Sequence, residues 1–233
     1  MKLVLFDIDG TLLWTDGAGR RAVHRALLAE AGTAGPIDTY RFDGKTDPQI
    51  IQDLLTLGGH PDAASPTLIS AVGAHYLAVL EAELAQSVGA TRVLPGVPEL
   101  LQALAPHEAA EELVVGLLTG NLAPGAALKL RSGGLDPDRF AVGAYGSDSG
   151  HRTDLPAIAL DRARARTGRP IRGTDVTIIG DTPADVACGR GIGARGIGVA
   201  TGYYSRPALE EAGAAHVFGS FADTAGVLAA LLA

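Results

Sequence analysis

Apolar positions along the chain fall into two alternating patterns. Short continuous runs lie at residues 3–6, 113–118, 140–143, 176–179 and 196–199, with a weaker one at 216–218. Unbroken runs of this length predict strands buried on both faces, as in a parallel sheet. Between them, helical periodicity covers 97–104, 125–131, 155–166, 183–190, 207–212 and 222–232. Strand and helix in alternation predict an α/β fold with a parallel sheet.

One section departs from this rhythm. From residue 15 to 92 the pattern is helical, with helices expected at 18–31, 48–57 and 66–86 and no convincing strand. A helical block placed after the first strand predicts a second, smaller domain over 15–92, leaving 1–14 and 93–233 as the α/β core. Its two exits carry the breakers Thr15-Asp16-Gly17 and Leu94-Pro95-Gly96.

Composition narrows the function classes. Of 233 residues, 47% are hydrophobic, enough for a sizeable core, and the formal net charge is −7 with no basic run. Neither nucleic acid nor an anionic membrane surface is an expected partner. No apolar run approaches the roughly 18 residues of a membrane span, and the first strand begins too early to leave room for a signal peptide. Cys188 is the single cysteine, so no internal disulfide forms and a reducing, cytoplasmic setting is expected. A monomer or a homodimer suits a chain of this size.

The chemistry is concentrated where strands end. Ligands of open parallel sheets sit beyond the carboxyl ends of the strands. There the sequence places Asp7-Ile8-Asp9-Gly10-Thr11, Thr119-Gly120-Asn121, a polar loop 146–152 ending in Arg152, and Gly180-Asp181-Thr182-Pro183-Ala184-Asp185. Asp and Gly are ordinary turn residues, so the first motif alone is ambiguous. Two charges about 4 Å apart also repel by roughly 4 kcal/mol at an effective dielectric near 20. Carboxylates from several strand ends at one point call for a hard cation, and oxygen donors favour Mg²⁺. Beside it a carboxylate can act as nucleophile, the Thr119 hydroxyl and the N–H groups of Gly120 and Asn121 can hold phosphate oxygens, and Arg152 supplies a permanent charge suited to phosphate.

Other motifs carry less. Gly17-Ala18-Gly19-Arg20-Arg21-Ala22 and Gly191-Ile192-Gly193-Ala194-Arg195-Gly196 match a dinucleotide fingerprint by letter but not in strand–helix context. Gly44-Lys45-Thr46 lacks the earlier glycine of a Walker loop. Segment 41–47 is expected to open a helix capped by Thr46 or Asp47, and Gly44 and Lys45 are candidate substrate contacts. Lys129 falls inside a predicted amphipathic helix, which sets it aside as a site residue.

The order DIDGT, TGN, a basic residue and GDTPAD resembles the haloacid dehalogenase superfamily over nearly the whole chain, with phosphoglycolate-phosphatase-like proteins nearest in pattern. The resemblance implies a Rossmann-like, doubly wound core with an α-helical C1 cap inserted after the first motif. It implies Asp7 as nucleophile and carrier of an aspartyl-phosphate. Asp9 is implied as acid and base, its backbone carbonyl on Mg²⁺, and Thr119 as a holder of the phosphoryl group. Asp181 is implied as a direct Mg²⁺ ligand, with Asp185 supporting the metal or the basic residue. The basic position is usually Lys; here it is Arg152. The second acid, Asp9, points to phosphate esters and leaves three readings: a phosphatase of a small phosphorylated metabolite such as phosphoglycolate, a β-phosphoglucomutase-like mutase, or a binding protein without chemistry.

Overall fold

In the computed structural model, which describes residues 1–86 and 89–233, the core is a parallel sheet of six strands in the order β5-β4-β1-β6-β7-β8. The strands are β1 (Lys2–Phe6), β4 (Leu113–Thr119), β5 (Val142–Tyr145), β6 (Val176–Gly180), β7 (Arg195–Val199) and β8 (His216–Phe218). β1 lies mid-sheet, parallel to β4 on one side and β6 on the other. Successive side chains of a strand face opposite ways, and β1 shows the consequence. Val4 and Phe6 pack with Leu100, Leu104, Phe221 and Leu231 on one face. Leu3 and Leu5 pack with Leu155, Ala159 and Leu160 on the other. An apolar run without polar alternation is what a strand covered on both faces requires.

The covering helices follow the expected order. They are α4 (Val97–Ala109), α5 (Ala123–Ser132), α6 (Leu155–Thr167), α7 (Pro183–Cys188), α8 (Arg206–Glu211) and α9 (Thr224–Leu232). One strand is displaced from its expected position. Residues 140–143 are apolar, but Pro137–Arg139 form a 3₁₀ turn that ends at Phe140. Phe140 is buried in the core ahead of the strand, and pairing with β4 begins at Val142.

Helices α1 (Ala18–Ala31), α2 (Asp47–Leu57) and α3 (Pro66–Gln86) make up the helical section. They share their own buried cluster, which includes Val23, Leu27, Ile51, Leu54, Tyr76 and Leu80. Thr46 caps α2 by accepting a hydrogen bond from the Gln49 amide, and Pro48 sits in its first turn, where a missing N–H costs nothing. Leu13–Trp14 (β2) and Arg92–Val93 (β3) pair antiparallel where the chain leaves and rejoins the core. That two-residue pairing is too short to read from periodicity.

Helix α3 corrects one expectation. It is 21 residues long and contains an 18-residue stretch with a mean hydropathy of 1.4, long and apolar enough to cross a membrane by length and composition. Such a single helix is weak evidence, because core helices meet the same measure. Val72, Tyr76, Val79, Leu80 and Leu84 are buried here, while exposed Ser70, Ala74, Ala78, Glu81 and Ala82 are small or charged.

Candidate active site

The strand register brings the predicted side chains together. Phe6 lies opposite Leu117 of β4 and Ile179 of β6. The residues just past those three positions, Asp7, Thr119 and Asp181, therefore share one end of the sheet. The neighbours of β1 lie on opposite sides of it in the fold, so its end is a topological switch point, where such sheets form crevices. The Asp7 amide continues the ladder to Ile179 O at 2.9 Å. The chain then turns sharply. Ile8 O accepts from the amides of Thr11, Leu12 and Leu13, and Gly10 takes φ +80°.

Carboxylate oxygens of Asp7, Asp181 and Asp185 lie within 4.8 Å of one another, all three residues buried. Burial and the neighbouring Asp185 charge hold the carboxyl groups of Asp7 and Asp181 well above the ordinary range. Arg152 answers part of this charge. Its Nη2 donates to Asp7 Oδ1 at 3.0 Å and to Asp185 Oδ1. Asp185 is fully buried, and its Oδ2 accepts from the Thr182 amide at 2.9 Å and the Thr182 hydroxyl at 2.7 Å. Both Asp185 oxygens are thus engaged, which suits support of the arginine. Asp181 is hemmed in: Thr11 donates to it at 3.2 Å, and a Cβ on Gly10 or Gly202 would overlap its carboxylate.

This donor set fits a hard divalent cation. Three buried carboxylates crowd one point with a single guanidinium to offset them, and all the donors are oxygen. Asp9 is not one of the three clustered carboxylates.

Asp9 belongs to a second network. Lys129 Nζ donates to Asp9 Oδ2 at 2.7 Å and to Asn121 Oδ1 at 2.6 Å. Asn121 Nδ2 donates to the same Asp9 oxygen and to Thr119 Oγ1, each at 2.8 Å. An ammonium has no acceptor, so Lys129 fixes which way the Asn121 amide faces. Lys129 is 5% exposed. Burial works against its charge, but Asp9 and Asp47 outweigh that and raise its pKa. The expectation that set Lys129 aside because it lies inside an amphipathic helix is therefore corrected: it lies in the helix as expected, and on its buried side, lining the cavity. Gly125, Ala126, Lys129 and Leu130 form the buried side of α5, and the i, i+3, i+4 spacing of Lys129 from Ala126 and Gly125 was the available signal.

The helical section docks onto these loops through residues 44–47. The Asp47 amide donates to Gly120 O, and Asp47 Oδ2 accepts from the Leu122 amide, both at 2.8 Å. Thr46 donates to Gly150 O at 2.8 Å. Gly44, with φ +72°, lies so close that a Cβ would come within 2.6 Å of Ala184 Cβ. Lys45 lines the cavity but is engaged within its own section, donating to Tyr40 Oη and pairing with Asp53 at 3.1 Å. Arg20, not singled out in the sequence, also faces the cavity and stacks on Phe42. The space enclosed is about 470 Å³, bordered by Asp7, Asp9, Thr119, Lys129 and Arg152 on the core side.

Comparison with known proteins bears on the fold and the family. A hydrolase from Pseudomonas syringae superposes with a TM-score of 0.71 at 24% identity, covering 99% of this chain and 98% of that one. CbbY from Rhodobacter sphaeroides in complex with phosphate gives 0.71 at 22%, covering 96% of each. β-Phosphoglucomutase from Clostridium difficile gives 0.71 at 16%, covering 96% of this chain and 92% of that one. At these identities the likeness is one of fold. No curated protein matches the chain in sequence. Residues 4–190, from the first strand past the last carboxylate motif, match the family described as haloacid dehalogenase-like hydrolase, and the chain belongs to that family.

Proposed function

We propose that the protein is a Mg²⁺-dependent phosphatase of a small phosphorylated metabolite, working through an aspartyl-phosphate on Asp7. The observation that carries this reading is the separation of the two acids at the end of β1. Asp7 faces Arg152 and the carboxylate cluster. Asp9 offers Oδ2 to two donors, and its Oδ1 accepts no hydrogen bond among the described residues. One acid is arranged as a nucleophile and the other as a proton carrier.

In the first step an Asp7 oxygen attacks phosphorus. The ester P–O bond breaks, and Asp9 Oδ1 delivers its proton to the departing oxygen to release an alcohol. Asp9, now a carboxylate, takes a proton from water as that water attacks phosphorus. The Asp7–phosphorus linkage breaks, returning Asp7 and inorganic phosphate. Thr119, the amides of Gly120 and Asn121, and Arg152 hold the phosphoryl oxygens, so catalysis rests on positioning and fixed charge. Mg²⁺ would be held by Asp7, Asp181 and the Asp9 carbonyl, with Asp185 behind them, and it supplies Lewis-acid neutralisation of phosphoryl charge.

We also propose residues 15–92 as a cap on a core of 1–14 and 93–233, with Gly44 and Lys45 at the substrate. Phosphoglycolate is one candidate substrate. Phosphate release from a panel of phosphorylated metabolites, with Mg²⁺ or chelator, for wild type and Asp7→Asn, tests the reading. Release that survives Asp7→Asn would refute it. The likeness to a β-phosphoglucomutase favours a mutase as the second reading; isomerised sugar phosphate in place of inorganic phosphate would establish it.

A further inference from the structure

The site holds two buried cations, and they serve different acids. Arg152 contacts Asp7 and Asp185. Lys129 contacts Asp9 and, among the described residues, pairs with no other carboxylate. We propose that Lys129 is a positioning residue for proton transfer by Asp9, an inference that rests on the phosphatase reading.

The geometry supports this in three ways. Lys129 and Asn121 both donate to Asp9 Oδ2, which pins the carboxylate by one oxygen and turns Oδ1 to the proton. A rotatable carboxylate would otherwise share the proton between two oxygens and two directions, and proton transfer needs hydrogen-bond reach in one defined geometry. Lys129 also sets the orientation of Asn121, whose amide group binds Thr119. The same ammonium thus registers the acid against the residue proposed to hold the phosphoryl group. The arrangement is built in: Lys129 comes from the buried face of α5, and α1 passes it at Gly19, where a Cβ would sit 3.5 Å from Nζ.

The role has a signature of its own. When the ester P–O bond breaks, an alkyl oxygen needs the Asp9 proton to leave as an alcohol, whereas p-nitrophenolate leaves without one. Loss of a group that acts through Asp9 therefore lowers kcat/KM, which reports formation of the aspartyl-phosphate, selectively for alkyl phosphates; the later attack of water, for which Asp9 is the base, is common to both esters and shows in kcat. Loss of a phosphoryl-binding or fold-holding group harms both alike.

The experiment compares Lys129→Met, Asp9→Asn and the double variant on p-nitrophenyl phosphate and on the best alkyl phosphate of the panel. Lys129→Met is expected to lower kcat/KM for the alkyl ester on the order of 10²-fold, within the usual range for general acid–base catalysis, and to spare most of the kcat/KM for the aryl ester. In the Asp9→Asn background the same change is expected to cost no more than about 2-fold, because the two residues act as one unit. The double variant removes the Lys129–Asp9 pair together, so it leaves no unpaired Asp9 carboxylate and separates positioning of Asp9 from the cost of stranding its charge. Equal losses of kcat/KM on the two esters, or multiplicative losses in the double variant, would overturn the proposal. Should Asp9→Asn itself show no dependence on the leaving group, the phosphatase reading of Asp9 fails instead.

Discussion

Arg152 Nη2 lies 3.0 Å from Asp7 Oδ1 and reaches Asp185 with the same nitrogen. One guanidinium thus holds together residues 145 and 33 positions away in the chain. Removing one partner of a buried ionic group leaves uncompensated charge and costs roughly 3–5 kcal/mol. Arg152→Met is therefore expected to melt on the order of 10 °C below wild type in chelator, given a few degrees per kcal/mol for a chain of this size. Differential scanning calorimetry checks this, and an unchanged melting temperature would remove Arg152 as the keystone of the cluster.

The same crowding predicts how metal acts. Burial and the Asp185 charge raise the Asp7 and Asp181 carboxyl groups above their unfolded values. The folded state then binds more protons than the unfolded state, so without metal the contribution of these groups to stability falls as pH rises through the raised values. A cation reverses that, because its ligands must be deprotonated. At about 100 times its dissociation constant, Mg²⁺ should add about 2.7 kcal/mol. Thermal melts with Mg²⁺ against chelator are expected to show a larger upward shift at pH 8 than at pH 5.5. Asp181→Asn should abolish most of it.

Much of this site was legible in the chain because chemistry and topology coincide. Continuous apolar runs marked the buried strands, and in a parallel sheet their carboxyl ends must face one way, so Asp7, Thr119 and Asp181 could be grouped before any geometry. Residues reaching the site from elsewhere were harder to see. Lys129 is nine residues past Gly120, on a helix whose spacing of Gly125, Ala126 and Leu130 with Lys129 is a signal carried by small residues and therefore a faint one. Asp47 meets Leu122 across 75 positions, and no local pattern specifies that docking. Phe140 misled in the opposite sense, being apolar and buried yet outside the ladder.

Asp47 supplies a pH-dependent prediction. Burial is the main cause that pushes its carboxyl up to about 6, against the favourable Lys129 charge and the Leu122 amide. The folded pKa exceeds the unfolded one, so the stabilising contribution is complete below the unfolded value and is lost as pH rises through about 6. Two units correspond to about 3 kcal/mol at most. Asparagine keeps an oxygen for the Leu122 amide and has no charge to bury. Asp47→Asn is expected to flatten the dependence of melting temperature between pH 4 and 6 and to match or exceed wild type at pH 7.5. A melt that falls at every pH would assign Asp47 a net stabilising charge.

Gly120 tests whether docking of the helical section matters to turnover. Its backbone φ is not in the left-handed region, so alanine is not strained there by itself. A Cβ would nevertheless overlap Lys45 O and come within 2.9 Å of Thr46 Cα. Backbone cannot rotate aside as a side chain can, so Gly120→Ala must push residues 45–46 away from the loop that carries Thr119 and Asn121. A misplacement of about 1 Å can cost on the order of 10²-fold in rate, and a loss of that size in kcat/KM is expected while the core sheet stays folded. Gly150 is the matching control. Thr46 touches it through its carbonyl, but a Cβ there meets nothing within 4 Å, so Gly150→Ala should leave kcat/KM nearly unchanged. Equal activity of the two variants would mean that the docked arrangement of residues 44–47 is not the one in which phosphate is transferred.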